Sequence, residues 1–282
     1  MSHSLLVDAL AEAIAEFRSS SFAHRYDFTI DSDRLLRAEL ETIIRYLPAR
    51  GTCVDIGTGH GIVPVVLHRM GYDVTSIDYP TAGGSEAAER IAALGVRVHY
   101  ADVGHDVNPL PDATVDVVFA GNVIEHIPHT PRHFLAACRA MLRIGGHLVI
   151  DTKNAVDLKT RLKMLAGVPN WPAVAGIYEN DFNFFHHKEY TLGELADVVS
   201  RARFEIVTRA AIETFFYKSL KRLGSLRTMG AAAQADGRGR SRFGSGFNPL
   251  HIYEYARLPM LALTAAVPGL RSDVLVVGQK VG

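Results

Sequence analysis

Between Cys53 and Asp151, short β-branched runs alternate with helix-length amphipathic segments, and this alternation restricts the fold more than any other feature of the chain. Cys53–Ile56, Asp73–Ile77, Val96–Tyr100, Val115–Phe119 and Gly146–Asp151 read as strands, while Ile62–Met70, Ser85–Leu94 and Thr130–Leu142 read as helices. Strands joined through helices of that length cannot form hairpins; they cross over right-handed into a parallel sheet with helices on both faces. After Asp151 the rhythm loosens. Val156–Leu165 reads as a helix, Thr191 with Glu194 three residues on reads as a capping box opening another, and Phe204–Arg209 and Asp273–Gln279 read as strands that bring the sheet to seven. Two helices are expected ahead of the sheet, one through Leu5, Leu6, Ala9, Leu10, Ala13, Ile14 and Phe17, the other from Asp33 to Leu47.

The expected architecture is therefore a doubly wound α/β sheet, mostly parallel, in a single domain spanning 1–282. Residues 1–50 form a helical cap, 51–211 and 271–282 the core, and 212–270 an insertion or lid before the last strand, with a helix over Leu250–Val267. Thirty basic and thirty acidic side chains cancel, so no chain-wide field draws the protein to nucleic acid. Two cysteines, Cys53 and Cys138, are too few for a disulfide framework. Asp8, Glu12 and Glu16 interrupt the first apolar stretch, which argues against a signal peptide, and the longest apolar run, Pro259–Leu270, is too short to span a bilayer. A cytoplasmic protein is the expectation.

The chemistry concentrates where the strands end. Asp55-Ile-Gly57-Thr58-Gly59-His-Gly61 follows the first strand and opens a helix, and glycines there let the backbone turn tightly beneath a ligand. Asp78 closes the second strand, next to Tyr79, where a carboxylate can accept from both hydroxyls of a ribose. Asp102 and Val103 follow the third strand, where an adenine would be met. Acids at three successive carboxyl ends mark the edge at which open α/β sheets bind ligands. A nicotinamide dinucleotide is the competing occupant, but the turn lacks a clean G-x-G-x-x-G.

These segments, with Asp116–Asn122 as a fourth strand and Leu142–Ile150 as the turn into a fifth, resemble the class I S-adenosylmethionine-dependent methyltransferases over about Gly51–Thr152. The resemblance implies a Rossmann-like fold and S-adenosylmethionine as cofactor. It implies contact through Asp55, Gly57, Thr58, Gly59, Asp78, Tyr79, Asp102, Val103 and Asn122. Asn122-Val-Ile-Glu125-His126 and the distant pair His186-His187 add a second resemblance, to magnesium-dependent O-methyltransferases that modify small-RNA 3′ ends and in part to those of ubiquinone biosynthesis. Those enzymes carry E-x-x-E-H; here Asn122 replaces the first acid. Carried over by position, Glu125, His126 and His186 are the metal ligands, Asn122 a weaker oxygen donor, and His187 the substitute for His186. The metal, magnesium, would hold two neighbouring acceptor oxygens; without it, His126 or His186 is the general base.

For the acceptor, Asp151–Val156, Leu162–Gly167 and Glu189–Leu195 resemble methyltransferases of bacterial glycan and natural-product pathways. Trp171, Tyr178, Phe182, Phe184, Phe185 and Tyr190 gather aromatic surface suited to stacking on sugars. The expected acceptor is thus a hydroxyl of a sugar, glycoside, oligosaccharide or polyol. A metal-independent small-molecule N- or O-methyltransferase and an RNA 2′-O-methyltransferase are the alternatives. The RNA reading would use seven basic residues between Tyr217 and Gly246, a run that otherwise reads as a solvated face. His24 and Tyr26 are expected to line the cofactor pocket under the cap. A homodimer through the insert or the first helices is expected, because two-fold dimers are the commonest oligomers.

Overall fold

A computed structural model describes residues 3–20, 33–79, 86–168, 170, 186–216 and 257–282. His24, Tyr26, Trp171, the aromatic residues 178–185 and the basic stretch 217–246 lie outside those residues. Seven strands form one sheet: β1 Thr52–Ile56, β2 Asp73–Asp78, β3 Arg97–Tyr100, β4 Val115–Gly121, β5 Leu142–Lys153, β6 Phe204–Ile212 and β7 Asp273–Lys280. Their order is β3-β2-β1-β4-β5-β7-β6. β1 through β5 pair in parallel, and β7 runs antiparallel between β5 and β6. The order reverses between β1 and β4, and at such a switch point the two flanking crossovers leave on opposite faces and open a crevice.

Eight α-helices accompany the sheet among the described residues: α1 His3–Arg18, α2 Asp33–Tyr46, α3 Ile62–Arg69, α4 Glu86–Ala93, α5 Pro131–Met141, α6 Leu158–Leu165, α7 Leu192–Arg201 and α8 Leu258–Ala266. Two apolar layers hold them. On one face Leu10 and Phe17 of α1, Leu40 and Ile43 of α2, and Val66 of α3 pack on Val117, Val149 and Val277. On the other, Phe134 and Met141 of α5 and Leu195 and Val199 of α7 pack on Val54, Leu148 and Val276. Full burial of side chains such as Phe17 and Leu40 stabilises the fold by about 1.5–3 kcal/mol each, which explains why α1 and α2 are integral rather than appended.

Local chemistry sets the helix starts. Thr130 accepts from the Arg132 amide ahead of Pro131, and Thr191 and Glu194 complete a reciprocal capping box. Two expectations need correction. β5 begins at Leu142, not Gly146, because Leu142 already pairs with Val115 and a register shift absorbs the turn. Gly145 there has φ +81°, and a Cβ on Gly146 would come within 2.9 Å of the Arg143 carbonyl, so these glycines permit an irregular strand rather than starting a new one. The late helix covers Leu258–Ala266, the first part of the expected span lying outside the described residues. No described helix is long and apolar enough to cross a membrane.

Candidate functional site

The glycine turn after β1 is built as a cradle. Gly57, Gly59 and Gly61 all have positive φ, and the Gly57 amide donates to the Ile77 carbonyl at 2.8 Å, tying the turn to β2. A Cβ on Gly57 would stand 2.6 Å from Val123 Cγ2. The loop after β1 and the loop after β4 thus meet at the switch point with no space for a methyl group between them. Thr58 and Asp55 are buried and share Ser76: its hydroxyl donates to Asp55 Oδ2 at 2.8 Å and lies 3.0 Å from Thr58 Oγ1. Asp55 therefore braces the turn from beneath. Asp78 caps its own strand, accepting from the Tyr79 amide, and Tyr79 is half exposed at the rim. Asp102 follows β3; its amide donates to Asp106 Oδ2, and Val103 bridges to Asp106.

Helix α2 reaches this crevice with Glu39, which sequence reasoning missed. Glu39 is buried and feels Asp273, Lys153, Asp55 and Asp151. Burial, reinforced by Asp273, raises its pKa to about 8; burial and Asp78 raise Asp55 to about 8 despite the Ser76 hydrogen bond. The unfolded chain ionises both near pH 4, so between pH ~4 and ~8 it binds fewer protons than the fold. The stability these two groups contribute is complete at the acid end of that window and falls as pH rises toward 8. Asp55→Asn is expected to flatten the fall, read as melting temperature against pH; an unchanged slope would show that the carboxyl is already ionised in the fold. His60, in the glycine turn, is held neutral: burial and Arg90 lower its pKa to about 4, and its ring packs edge-on against Phe17.

Beyond β4, Asn122 adopts φ +52°, a left-handed conformation that asparagine tolerates, and a 3₁₀ turn over Ile124–His126 follows. This turn buries Glu125 completely. Neither Glu125 carboxylate oxygen accepts a well-formed hydrogen bond, and its pKa is raised, chiefly by burial. Residues 186–188 are latched onto the turn through the backbone: the His187 and Lys188 amides donate to the Glu125 carbonyl at 2.6 and 3.4 Å. The latch brings the His186 ring 4.9 Å from that of His126, nearly perpendicular. Glu125, His126 and His186 each present a ligand atom within 4.8 Å of the others. Glu189 orients His186 by bonding Nδ1 at 2.8 Å and is itself held by Asn170. That leaves Nε2 of His186 for the cluster, the arrangement in which a carboxylate fixes the tautomer of a liganding imidazole.

Of the sequence-expected residues, the structure thus gathers Glu125, His126 and His186. Asn122 lies at the same loop but turns its amide to Asp151, Nδ2 donating to Oδ1 at 2.9 Å. His187 is joined through its main chain, and its side chain stands outside the triad. Glu39, Asp151, Lys153, Glu189 and Asp273 were not foreseen. Beside His186 a cavity of about 140 Å³ is lined by Lys153, Asn154, Asp157, Lys159, Thr160, Asn170 and Glu189, polar side chains throughout. A larger opening of about 490 Å³ at the start of α2 lies against β6 instead, away from the triad.

Residues 54–150 match the family model described as a methyltransferase domain. A ubiquinone biosynthesis O-methyltransferase of Cupriavidus pinatubonensis (strain JMP 134 / LMG 1197) is 33% identical over 115 residues, 40% of this chain and 45% of that protein. A probable S-adenosylmethionine-dependent methyltransferase of Mycolicibacterium smegmatis (strain ATCC 700084 / mc(2)155) is 26% identical over 154 residues, 54% and 51% of the two chains. The chain spans about half the length of these curated relatives. In three dimensions it is similar to a SAM-dependent methyltransferase from Archaeoglobus fulgidus, with a TM-score of 0.57 at 16% identity over 93% of this chain and 100% of that one. The seven-stranded sheet with its N-terminal helices is therefore the Rossmann-like fold of S-adenosylmethionine-dependent methyltransferases. The expected likeness to glycan enzymes is not what these relatives show; the name of the first points to ubiquinone biosynthesis.

Proposed function

We propose that this chain is an S-adenosylmethionine-dependent O-methyltransferase whose acceptor hydroxyl is received at the Glu125–His126–His186 triad. The observation that carries the reading is the convergence of those three groups at the lip of the glycine cradle, with Val123 packed directly on Gly57. The O-methyltransferase names of the relatives support the same acceptor atom. Asp78 and Asp102 are the groups for the ribose and adenine of the cofactor, and the Gly57–Gly61 turn holds its methionine end.

One buried carboxylate without a well-formed hydrogen bond and two imidazoles, one oriented by a carboxylate, fit a divalent cation such as magnesium. Glu125, His126 and His186 would hold it, and when bound it would lower the pKa of an acceptor hydroxyl. His187, its amide tied to the Glu125 carbonyl, is the nearby imidazole to accept that proton. In the transfer, the acceptor oxygen–methyl bond forms as the sulfur–methyl bond breaks in line, and S-adenosylhomocysteine leaves. The protein's share is positioning, so no protein nucleophile is needed. The polar side chains that line the cavity beside His186 favour an oxygen-rich acceptor with a second oxygen near the first: a catechol or a vicinal diol, sugars and polyols included.

The 2.8 Å His186–Glu189 pair supports a second reading, in which no metal is used and His186 is itself the base, oriented by Glu189. Methylation of catechol, assayed with isotope-labelled S-adenosylmethionine before and after chelation by EDTA, separates the two. Loss of activity on chelation and recovery with magnesium is the expected result; full activity in EDTA would establish the metal-free reading. No methyl transfer to catechol or to any vicinal diol would contradict both.

A further inference from the structure

We propose that Asp151 is the second carboxylate of the cation site, supplying from β5 the negative charge that Asn122 does not. The inference rests on the metal-assisted reading above. Its starting point is the set of polar atoms left unsatisfied around the 3₁₀ turn: Asn122 Oδ1, both Glu125 oxygens and Asp151 Oδ2 are buried acceptors without a well-formed hydrogen bond, and Thr152 Oγ1, the hydroxyl that faces Glu125, is buried in the same state. One hydroxyl cannot satisfy four acceptors, and a cation with its waters is the species that satisfies several at once.

Asp151 is fully buried at the carboxyl end of β5, beside β4 in register Gly121↔Asp151. The Asn122 side chain fixes one of its oxygens through the 2.9 Å bond from Nδ2, and the Asn122 amide donates to the Asp151 carbonyl at 3.1 Å. Asp151 is thereby locked to the loop that carries Glu125 and His126, and its carboxyl also faces that of Glu39. The local cations do not neutralise the region. Among the described residues, Glu39, Glu125, Asp151 and Asp273 are four buried carboxyls beside one partly exposed ammonium, Lys153, and that ammonium is already bonded to Asp273, which Ser272 and Thr214 also engage. Asp151 stands outside the cluster of three ligand atoms, so it acts on a hydrated ion across its water shell, the mode suited to a hard cation that keeps several waters. Asn122 then becomes the group that orients this carboxylate rather than a weak ligand replacing an acid.

The test is a reciprocal exchange. Free Mn²⁺ is counted by electron paramagnetic resonance as the S-adenosylhomocysteine-saturated protein is titrated. Asp151→Asn is expected to weaken Mn²⁺ binding at least tenfold. The double variant Asn122→Asp/Asp151→Asn keeps the hydrogen bond and the net charge while moving the charge to residue 122, a position whose left-handed backbone aspartate also tolerates. It is expected to bind within about threefold of wild type, and it keeps the test open should Asp151→Asn alone fold poorly. Wild-type affinity in Asp151→Asn, or no recovery in the double variant, overturns the role of Asp151 while Glu125→Gln still abolishing binding leaves the triad intact. No Mn²⁺ binding by wild type would end the metal reading and this inference together.

Discussion

His186→Ala is expected to lower methyl-transfer turnover by about 10²–10⁴-fold while leaving S-adenosylhomocysteine affinity within about threefold of wild type. The split follows from position. His186 meets Glu125 and His126 through the latch on the Glu125 carbonyl, whereas the glycine cradle, Asp78 and Asp102 lie on the other strand ends. In both readings of the site His186 touches the reacting oxygen's environment, as a ligand or as the base. Glu189→Gln, which keeps shape but removes the charge that fixes Nδ1, should cost a smaller 10–100-fold, the usual penalty for losing the group behind a liganding histidine. Rapid-quench measurement of a single turnover reads the step directly. A turnover unchanged in His186→Ala would remove residues 186–189 from the chemistry altogether.

Gly57→Val is expected to abolish measurable cofactor binding and to destabilise the fold by several kcal/mol. Two costs combine. At φ +80° a β-branched side chain is strained by about 1–3 kcal/mol, and its Cβ would press on Val123 Cγ2 from 2.6 Å. Val123 precedes the turn that buries Glu125, so the displacement reaches the triad as well as the cradle. Gly71→Ala is the matched control: it shares a positive φ, +85°, but a Cβ there meets nothing within 4 Å. That variant should lose stability modestly and retain cofactor binding in isothermal titration. Equal binding by Gly57→Val and Gly71→Ala would show that the contact between the two loops is not what shapes the site.

Much of this was legible before the fold was seen, for physical reasons. Strand and helix periods are local, so the alternation from β1 to β5 and the capping box at Thr191 could be read directly. Glu125, His126 and His186 followed from the resemblance to magnesium-dependent O-methyltransferases, although only the backbone latch at the Glu125 carbonyl explains how residues so far apart in the chain meet. The buried acids were not legible, because Glu39, Asp151 and Asp273 come together from α2, β5 and β7 and acquire meaning only through packing. One signal was available for the first of them. Leu36, Leu40 and Ile43 mark the inward stripe of α2, and Glu39 sits within it, an acid where the helical period demands an apolar residue. Charged residues out of place in a buried stripe are expected to be paired or functional. In β5 the same clue was weaker, since Asp151 and Lys153 at a strand end pass for the solvated rim they would form on an ordinary edge.

The central claim is that the crevice at the switch point binds an S-adenosyl group. Isothermal titration with S-adenosylhomocysteine and, separately, with NADH tests it most directly, each repeated on Asp78→Ala. Micromolar binding of S-adenosylhomocysteine, lost in Asp78→Ala, with no heat from NADH, is the predicted result. Saturable NADH binding with no response to S-adenosylhomocysteine would contradict the assignment and make the crevice a dinucleotide site.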